Sequence, residues 1–155
     1  MEIKKATIED IPQIENLLYQ VHQIHANVRP DLFKQYLKKY TSEELNSIIN
    51  NQNTPIFVYK ENNEILAYAF IIYKKETSNS LVNIKTMYVD DFCVDEKHKH
   101  KGIGTILFNY IKDVAKQENC YNITLNVYSF NEAAKEFYIK QKMNELKTYM
   151  EYIIK

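Results

Sequence analysis

A chain of 155 residues with two glycines has almost nowhere to take its backbone through φ > 0 without steric cost, yet both lie in KHKGIG, residues 99–104. The remaining turns must therefore be made by other residues, and the freedom of glycine is reserved for one junction. Its flanks identify the junction. LVNIKTMYVDDFCVD, residues 81–95, is β-rich, with Val82, Ile84, Tyr88, Phe92 and Val94 expected on one face. GIGTILFNYIKDVAK keeps a helical period, with Ile103, Ile106, Leu107, Tyr110, Ile111, Val114 and Ala115 on one side and Lys112, Asp113, Lys116 and Gln117 on the other. A strand running into a helix through Gly102 and Gly104 makes an anion site. The first helical turn leaves its N–H groups unpaired and carries the positive end of the helix dipole, and glycine removes the side chains that would obstruct a phosphate. Lys97, His98, Lys99, His100 and Lys101 crowd the approach, which fits a ligand carrying several phosphates. A plain tight turn beside a solvated charged loop is the competing reading.

The rest of the chain alternates helical and β periods without repeats or linkers. EIKKATI, residues 2–8, reads as a strand. Asp10 is expected to cap a helix in which Ile11, Ile14, Leu17, Leu18 and Val21 form the apolar stripe, ended by Pro30. DLFKQYLKKY, residues 31–40, and EELNSIIN, after a Thr41 or Ser42 cap, are expected to be helical. IFVYK, the turn ENNE and ILAYAFIIYKK form a hairpin; YNITLNVYS is a strand, NEAAKEFYIKQ a helix capped by Asn131, and MNELKTYMEYIIK, residues 143–155, a final strand. The order β, α, α, β, β, β, α, β, α, β describes one α/β domain over residues 1–155, with a mixed, mostly antiparallel central sheet flanked by helices.

Composition removes several function classes. Twenty basic and twenty acidic side chains cancel, so no global positive field is available for DNA and no nucleic-acid partner is expected. No run approaches the roughly 18 apolar residues of a membrane span, and the first residues lack the apolar core of a signal peptide, so no membrane association and a cytoplasmic location are expected. Cys93 and Cys120 have no CxxC spacing and read as buried small residues. His22 and His25 lie three apart without a companion ligand motif, so no metal site is expected.

Two nucleotide motifs do not match: no Lys-Ser or Lys-Thr pair follows Gly104 as a Walker A loop requires, and Leu107 occupies the third glycine position of a G-x-G-x-x-G fingerprint. CVDEKHKHKGIGTILF instead resembles the acetyl-CoA loop of the GNAT superfamily of N-acetyltransferases, a strand followed by [QR]-x-x-G-x-[GA] opening a helix. LNVYSFNEAAKEFYIKQKM is similar to that family's second signature, a strand and then N-x-x-A-x-x-F-Y on a helix. Lys99 stands where Arg or Gln is usual, His100 where a small residue is common, and KQKM replaces a frequent L-G-F.

The resemblance implies a single-domain GNAT-like fold and acetyl-CoA as co-substrate. It implies that the backbone of Phe92, Cys93 and Val94 pairs with the pantetheine arm. It further implies that Lys99, His100, Lys101, Gly102, Ile103, Gly104 and Thr105 wrap the pyrophosphate, that Asn131 contacts the pantetheine, and that Tyr138 protonates the departing thiolate. The partner would be an amine acceptor of a small molecule, peptide or protein, and the protein a monomer or homodimer. Asn126, where some relatives place a glutamate, cannot take a proton; Asp90 and Asp91 are the alternative carboxylates, Asp91 being assigned the catalytic role. HQIHANVRPD, with His25 and Arg29, is expected to wall the acceptor cleft together with Asn126. A non-catalytic acyl-CoA-binding module is the alternative function.

Overall fold

A computed structural model describes all of residues 1–155. Its elements are β1 (Glu2–Lys5), α1 (Ile11–Val28), α2 (Ser42–Ile49), β2 (Ile56–Glu61), β3 (Glu64–Lys75), β4 (Lys85–Val94), α3 (Ile103–Gln117), β5 (Asn122–Leu125) and α4 (Glu132–Lys140). The five strands form one sheet in chain order, antiparallel from β1 to β4 and parallel between β4 and β5. α3 provides the crossover that a parallel pair requires. The expected mixed, mostly antiparallel sheet flanked by helices is the fold observed.

Each face of the sheet carries its own core. Phe57, Tyr59, Ala67, Ala69, Ile71, Met87 and Val89 pack against Leu107, Phe108, Ile111 and Ala115 of α3. On the opposite face Ile56, Val58, Tyr68, Phe70 and Cys93 pack against Ile14, Leu17 and Leu18 of α1 and Leu45 of α2. β3 is buried on both faces for most of its length, which is why ILAYAFII reads as an unbroken apolar run and not as an alternation.

The start of α1 is built differently from the expected cap. Asp10 precedes the helix but its side chain makes no cap to it; it accepts from the Thr7 N–H at 2.8 Å and pairs with Lys60 in the second strand. Gln13 ties the same corner to the β2–β3 turn, donating to the Asn63 carbonyl and accepting from the Ile65 N–H. Asn62 and Asn63 make that turn at φ 49° and 64°, the left-handed geometry that a glycine-poor chain must give to asparagine.

Three sequence expectations are corrected. Residues 31–40 are not helical: Tyr36 sits at φ 59°, Phe33 is held among His22, His25 and Tyr128, and Gln35 donates to the Ala26 carbonyl, so tertiary contacts override a moderate helical pattern. The third long strand begins at Lys85, leaving Leu81 and Val82 exposed, and its even-numbered face is not continuous. Between Phe70 and Ile71 the pairing with β3 slips by one residue: Ile71 faces Val89 while Phe70 faces Asp91. Residues 143–155 form no strand within this chain.

Candidate active site

The slip in β4 is a β-bulge with Asp90 as the extra residue. A bulge resets the alternation of a strand, so Val89 before it and Phe92 after it both contact the α3 face. Asp90 and Asp91 consequently serve the α1–α2 side together. Asp90 accepts from the Tyr40 hydroxyl, and Lys39 lies 3.3 Å from its carboxylate and donates to its carbonyl at 2.8 Å. Asp91 has no such ion pair. Burial pushes its carboxyl up to about 6; Lys39 opposes that shift and Asp90 adds to it. Beside it the Tyr68 hydroxyl is fully buried, and the two groups act on each other: the phenol favours the ionised carboxylate, and Asp91 adds to the burial that raises the pKa of the phenol.

β4 and β5 pair only from Thr86/Asn122 to Val89/Leu125. Beyond Val89 the two strands part: Asp91–Val94 remain paired with β3 on one side, Asp90 is the bulged residue, and the other edge of the whole run is unpaired. That edge is an open row of backbone donors and acceptors, the kind of surface to which a peptide-like chain adds as a strand. It contains Phe92, Cys93 and Val94. The Cys93 thiol points away, toward the Leu17 carbonyl, and burial raises its pKa, so only its backbone is available to the edge.

The strand leads through Asp95 into the glycine loop. Asp95 is buried; its carboxylate receives the Lys97 N–H, Gln20 and His98, which anchors the loop's root to α1. His100 at φ 65° and Gly102 at φ 79° turn the chain into α3. Gly102 precedes Ile103 as the helix cap, and its carbonyl accepts the first intrahelical bond, from the Ile106 N–H at 3.0 Å. The N–H groups of Ile103, Gly104 and Thr105 are the unpaired donors of that first turn. The two glycines have separate reasons. Gly102 has open space around a Cβ but a left-handed backbone; at Gly104 a Cβ would stand 3.3 Å from the Phe137 ring and 3.4 Å from Val94. The lack of a side chain at Gly104 thus lets α4 close against the first turn of α3, in addition to leaving that turn bare. Of the basic side chains ahead of it, Lys99 is paired with Glu96 at 2.6 Å and His98 with Asp95, while Lys97 and Lys101 make no ion pair.

α4 brings in the remaining residues. Asn131 caps it, accepting from the Ala134 N–H at 3.2 Å. Tyr138 packs against Phe92, Phe108 and Phe137; burial raises its pKa, with the charge of Asp91 the next cause, so its hydroxyl keeps its proton at neutral pH. Asn126 donates to the Tyr88 hydroxyl at 3.1 Å. His25 is half-buried in an aromatic wall with Phe33, Tyr128 and Phe130, and burial lowers its pKa, so the ring is neutral. Arg29 is engaged by Asp31 at 2.7 Å and Glu151 at 3.0 Å. Tyr68, Tyr40 and Lys39 are the site residues that sequence reading missed; only the bulge makes them neighbours of the two aspartates.

The model of the acetyltransferase (GNAT) family matches residues 18–143. The chain belongs to that family. Acyl transfer is accordingly the chemistry of this GNAT domain, and the opened β4 edge and glycine loop are its most conspicuous features. The protein is similar to the BH1408 protein of Bacillus halodurans, whose crystal structure in a mutant form is 30% identical, with a TM-score of 0.95 over 99% of each chain. It shares its fold with aminoglycoside N-acetyltransferase AAC(6')-Iy in complex with CoA, at 10% identity and a TM-score of 0.73 over 99% of each chain. A curated relative, the amine sulfotransferase of Oryctolagus cuniculus, is 27% identical over 128 residues; the match takes in 79% of this chain but only 38% of that protein. No helix of the GNAT domain is long and apolar enough to cross a membrane.

Proposed function

We propose that this protein is an acetyl-CoA-dependent N-acetyltransferase that moves an acetyl group to a primary amine by direct attack on the thioester. The observation that carries the reading is the meeting of three features at the end of β4. These are an unpaired backbone edge over Asp90–Val94, the bare first turn of α3 beyond it, and the half-buried Asp91 carboxyl on the other side of the same strand.

Coenzyme A fits this arrangement chemically. Its pantetheine amides match the donors and acceptors of Phe92, Cys93 and Val94, and its pyrophosphate matches the N–H groups of residues 103–105 with Lys97 and Lys101 nearby. An amine attacks only when neutral. With a pKa of about 6, Asp91 is ionised at neutral pH and remains a competent proton acceptor for the incoming amine. Asn126 therefore need not be a base. Attack transfers the acetyl carbon from sulfur to nitrogen, and the thiolate released takes a proton from Tyr138 on the opposite face. The acceptor enters on the α1–α2 side, where His25, Phe33, Tyr128 and Phe130 give an aromatic wall and Asp91, the carboxylate that Lys39 does not pair, the negative charge that attracts an ammonium group.

The test is release of free thiol from acetyl-CoA by the purified protein across a panel of amines. Acceptor-dependent release, reduced in Tyr138→Phe, is expected. Tight coenzyme A binding with no release on any amine would favour the non-catalytic module.

A further inference from the structure

One cation of this chain stands where the ammonium group of an acceptor would stand. Lys39 lies 3.3 Å from the Asp90 carboxylate and donates to the Asp90 carbonyl at 2.8 Å, at the bulge where the unpaired edge of β4 begins. Its charge reaches two groups that bound the cleft. It opposes the upward shift of Asp91, and it adds to the lowering of His25 on the aromatic wall. The Lys39 ammonium therefore lies between the paired aspartates and that wall, in the space a substrate amine would enter.

The chain holds it there. The strap over residues 31–40 is tied to α1 at successive points: His22 donates from Nε2 to the Lys34 carbonyl at 2.7 Å, Gln35 donates to the Ala26 carbonyl at 2.8 Å, and Gln23 accepts from the Tyr36 N–H and donates to the Leu37 carbonyl. Tyr40 fixes the far end, its ring stacked on Phe70 with centroids 5.6 Å apart and its hydroxyl donating to the Asp90 carboxylate. The backbone of residue 39 is thus anchored on both sides, while its side chain, 40% exposed, keeps a flexible four-carbon stem. An amine held in this way meets a neighbouring thioester in a unimolecular step and needs no encounter.

We infer that Lys39 is itself an acetyl acceptor: with acetyl-CoA bound and no substrate amine in the cleft, the protein transfers one acetyl group to its own Lys39 Nζ. The inference rests on the acetyltransferase reading above and adds a modification site to it. The ammonium first gives one proton to Asp91. Nζ then bonds to the acetyl carbon as the bond from that carbon to sulfur breaks, the thiolate takes the Tyr138 proton, and the second proton lost from Nζ restores the phenol through solvent. The products are acetylated Lys39, free coenzyme A and one proton, which Asp91 returns to water. Acetylated Lys39 has no charge to offer Asp90, so a substrate ammonium arriving afterwards meets two carboxylates in place of one.

The test is to give acetyl-CoA alone, without any amine, to the purified full chain and to follow thiol release and peptide mass spectrometry. Release is expected to stop at roughly one equivalent per chain, with the label on Lys39 at least about tenfold above that on Lys34, which is also exposed on the same strap. The fraction labelled per unit time is expected to stay constant on dilution of the protein. Lys39→Arg, which keeps a cation beside Asp90, should lose the equivalent, and Asp91→Asn should label about tenfold more slowly or worse. Site mapping and dilution use the parent, so neither depends on how a variant folds. Label spread evenly over Lys34 and Lys39, a rate that rises with protein concentration, or an unchanged rate in folded Asp91→Asn overturns the inference. Turnover on an amine panel with Lys39 unlabelled overturns it and leaves the transferase reading in place; no thiol release with or without amine overturns both.

Discussion

At the residue scale the behaviour of the site turns on Asp91. The activity of the parent should rise with pH through about 6 as this carboxyl loses its proton, and Asp91→Asn should lose that limb together with a factor of ~10²–10³ in kcat/KM. A pH–rate profile of both proteins checks it. The same shift has a stability consequence of opposite sign. The folded state holds this proton more tightly than the unfolded chain, whose carboxyl titrates near 3.8, so the group's contribution to stability is fully present below that pH, is lost as pH rises through about 6, and stays lost above it. Asp91→Asn should therefore be the more stable protein at pH 8, by on the order of 1–3 kcal/mol once screening from the open side of the cleft is allowed for, and equal to the parent near pH 4. Urea denaturation at the two pH values measures this. The position of Asp91 was only partly legible in the sequence. Two adjacent aspartates in a β-rich run showed that one had to be unusual, but strict alternation puts them on opposite faces. The bulge that gathers both with Tyr40 and Lys39 has no signature in the residues of β4 alone.

At the scale of elements, the junction of β4, the glycine loop and α3 separates the two glycines by experiment. Gly102→Ala meets no atom but must hold φ near +79°, so it should cost about 1–2 kcal/mol of stability and leave coenzyme A affinity within a few-fold. Gly104→Ala has no left-handed backbone to hold but a Cβ 3.3 Å from the Phe137 ring and 3.4 Å from Val94, so those side chains must give by a few tenths of an ångström at the bare first turn, and coenzyme A affinity should fall by tenfold or more with little change in helix content. Thermal melts beside calorimetric titrations of the two variants distinguish these outcomes. This junction was the most legible part of the molecule, because helical periodicity and glycine placement are local signals. Residues 31–40 were misread for the converse reason: their conformation is set by His22, His25, Ala26 and Tyr128, which are distant in sequence. The final strand over residues 143–155 was misread as well: MNELKTYMEYIIK has the alternation of a strand, but its backbone pairs with no other strand of the chain.

At the scale of the whole molecule, zero net charge means that phosphate binding depends on local cations and not on a global field. Lys97→Gln with Lys101→Gln should weaken coenzyme A several-fold in dilute buffer, and the difference from the parent should shrink as salt rises and the Debye length falls below about 8 Å. Titrations at low and high salt check it. The two-faced core keeps these effects separate: α3 packs on one face of the sheet and α1 and α2 on the other, and β4 contributes to both cores, so the proposed donor and acceptor sides meet at that strand. Its bulge and its unpaired edge turn a structural strand into the floor of a site.

The most direct measurement is a titration of the ¹⁵N-labelled protein with coenzyme A, followed by amide chemical shifts and hydrogen exchange. The amides of Phe92, Cys93, Val94 and residues 102–105 are expected to shift most, with the β4 amides slowing in exchange as the ligand occupies their edge. Shifts confined elsewhere, or none at millimolar ligand, would contradict the assignment of this strand edge and helix start as the acyl-donor site.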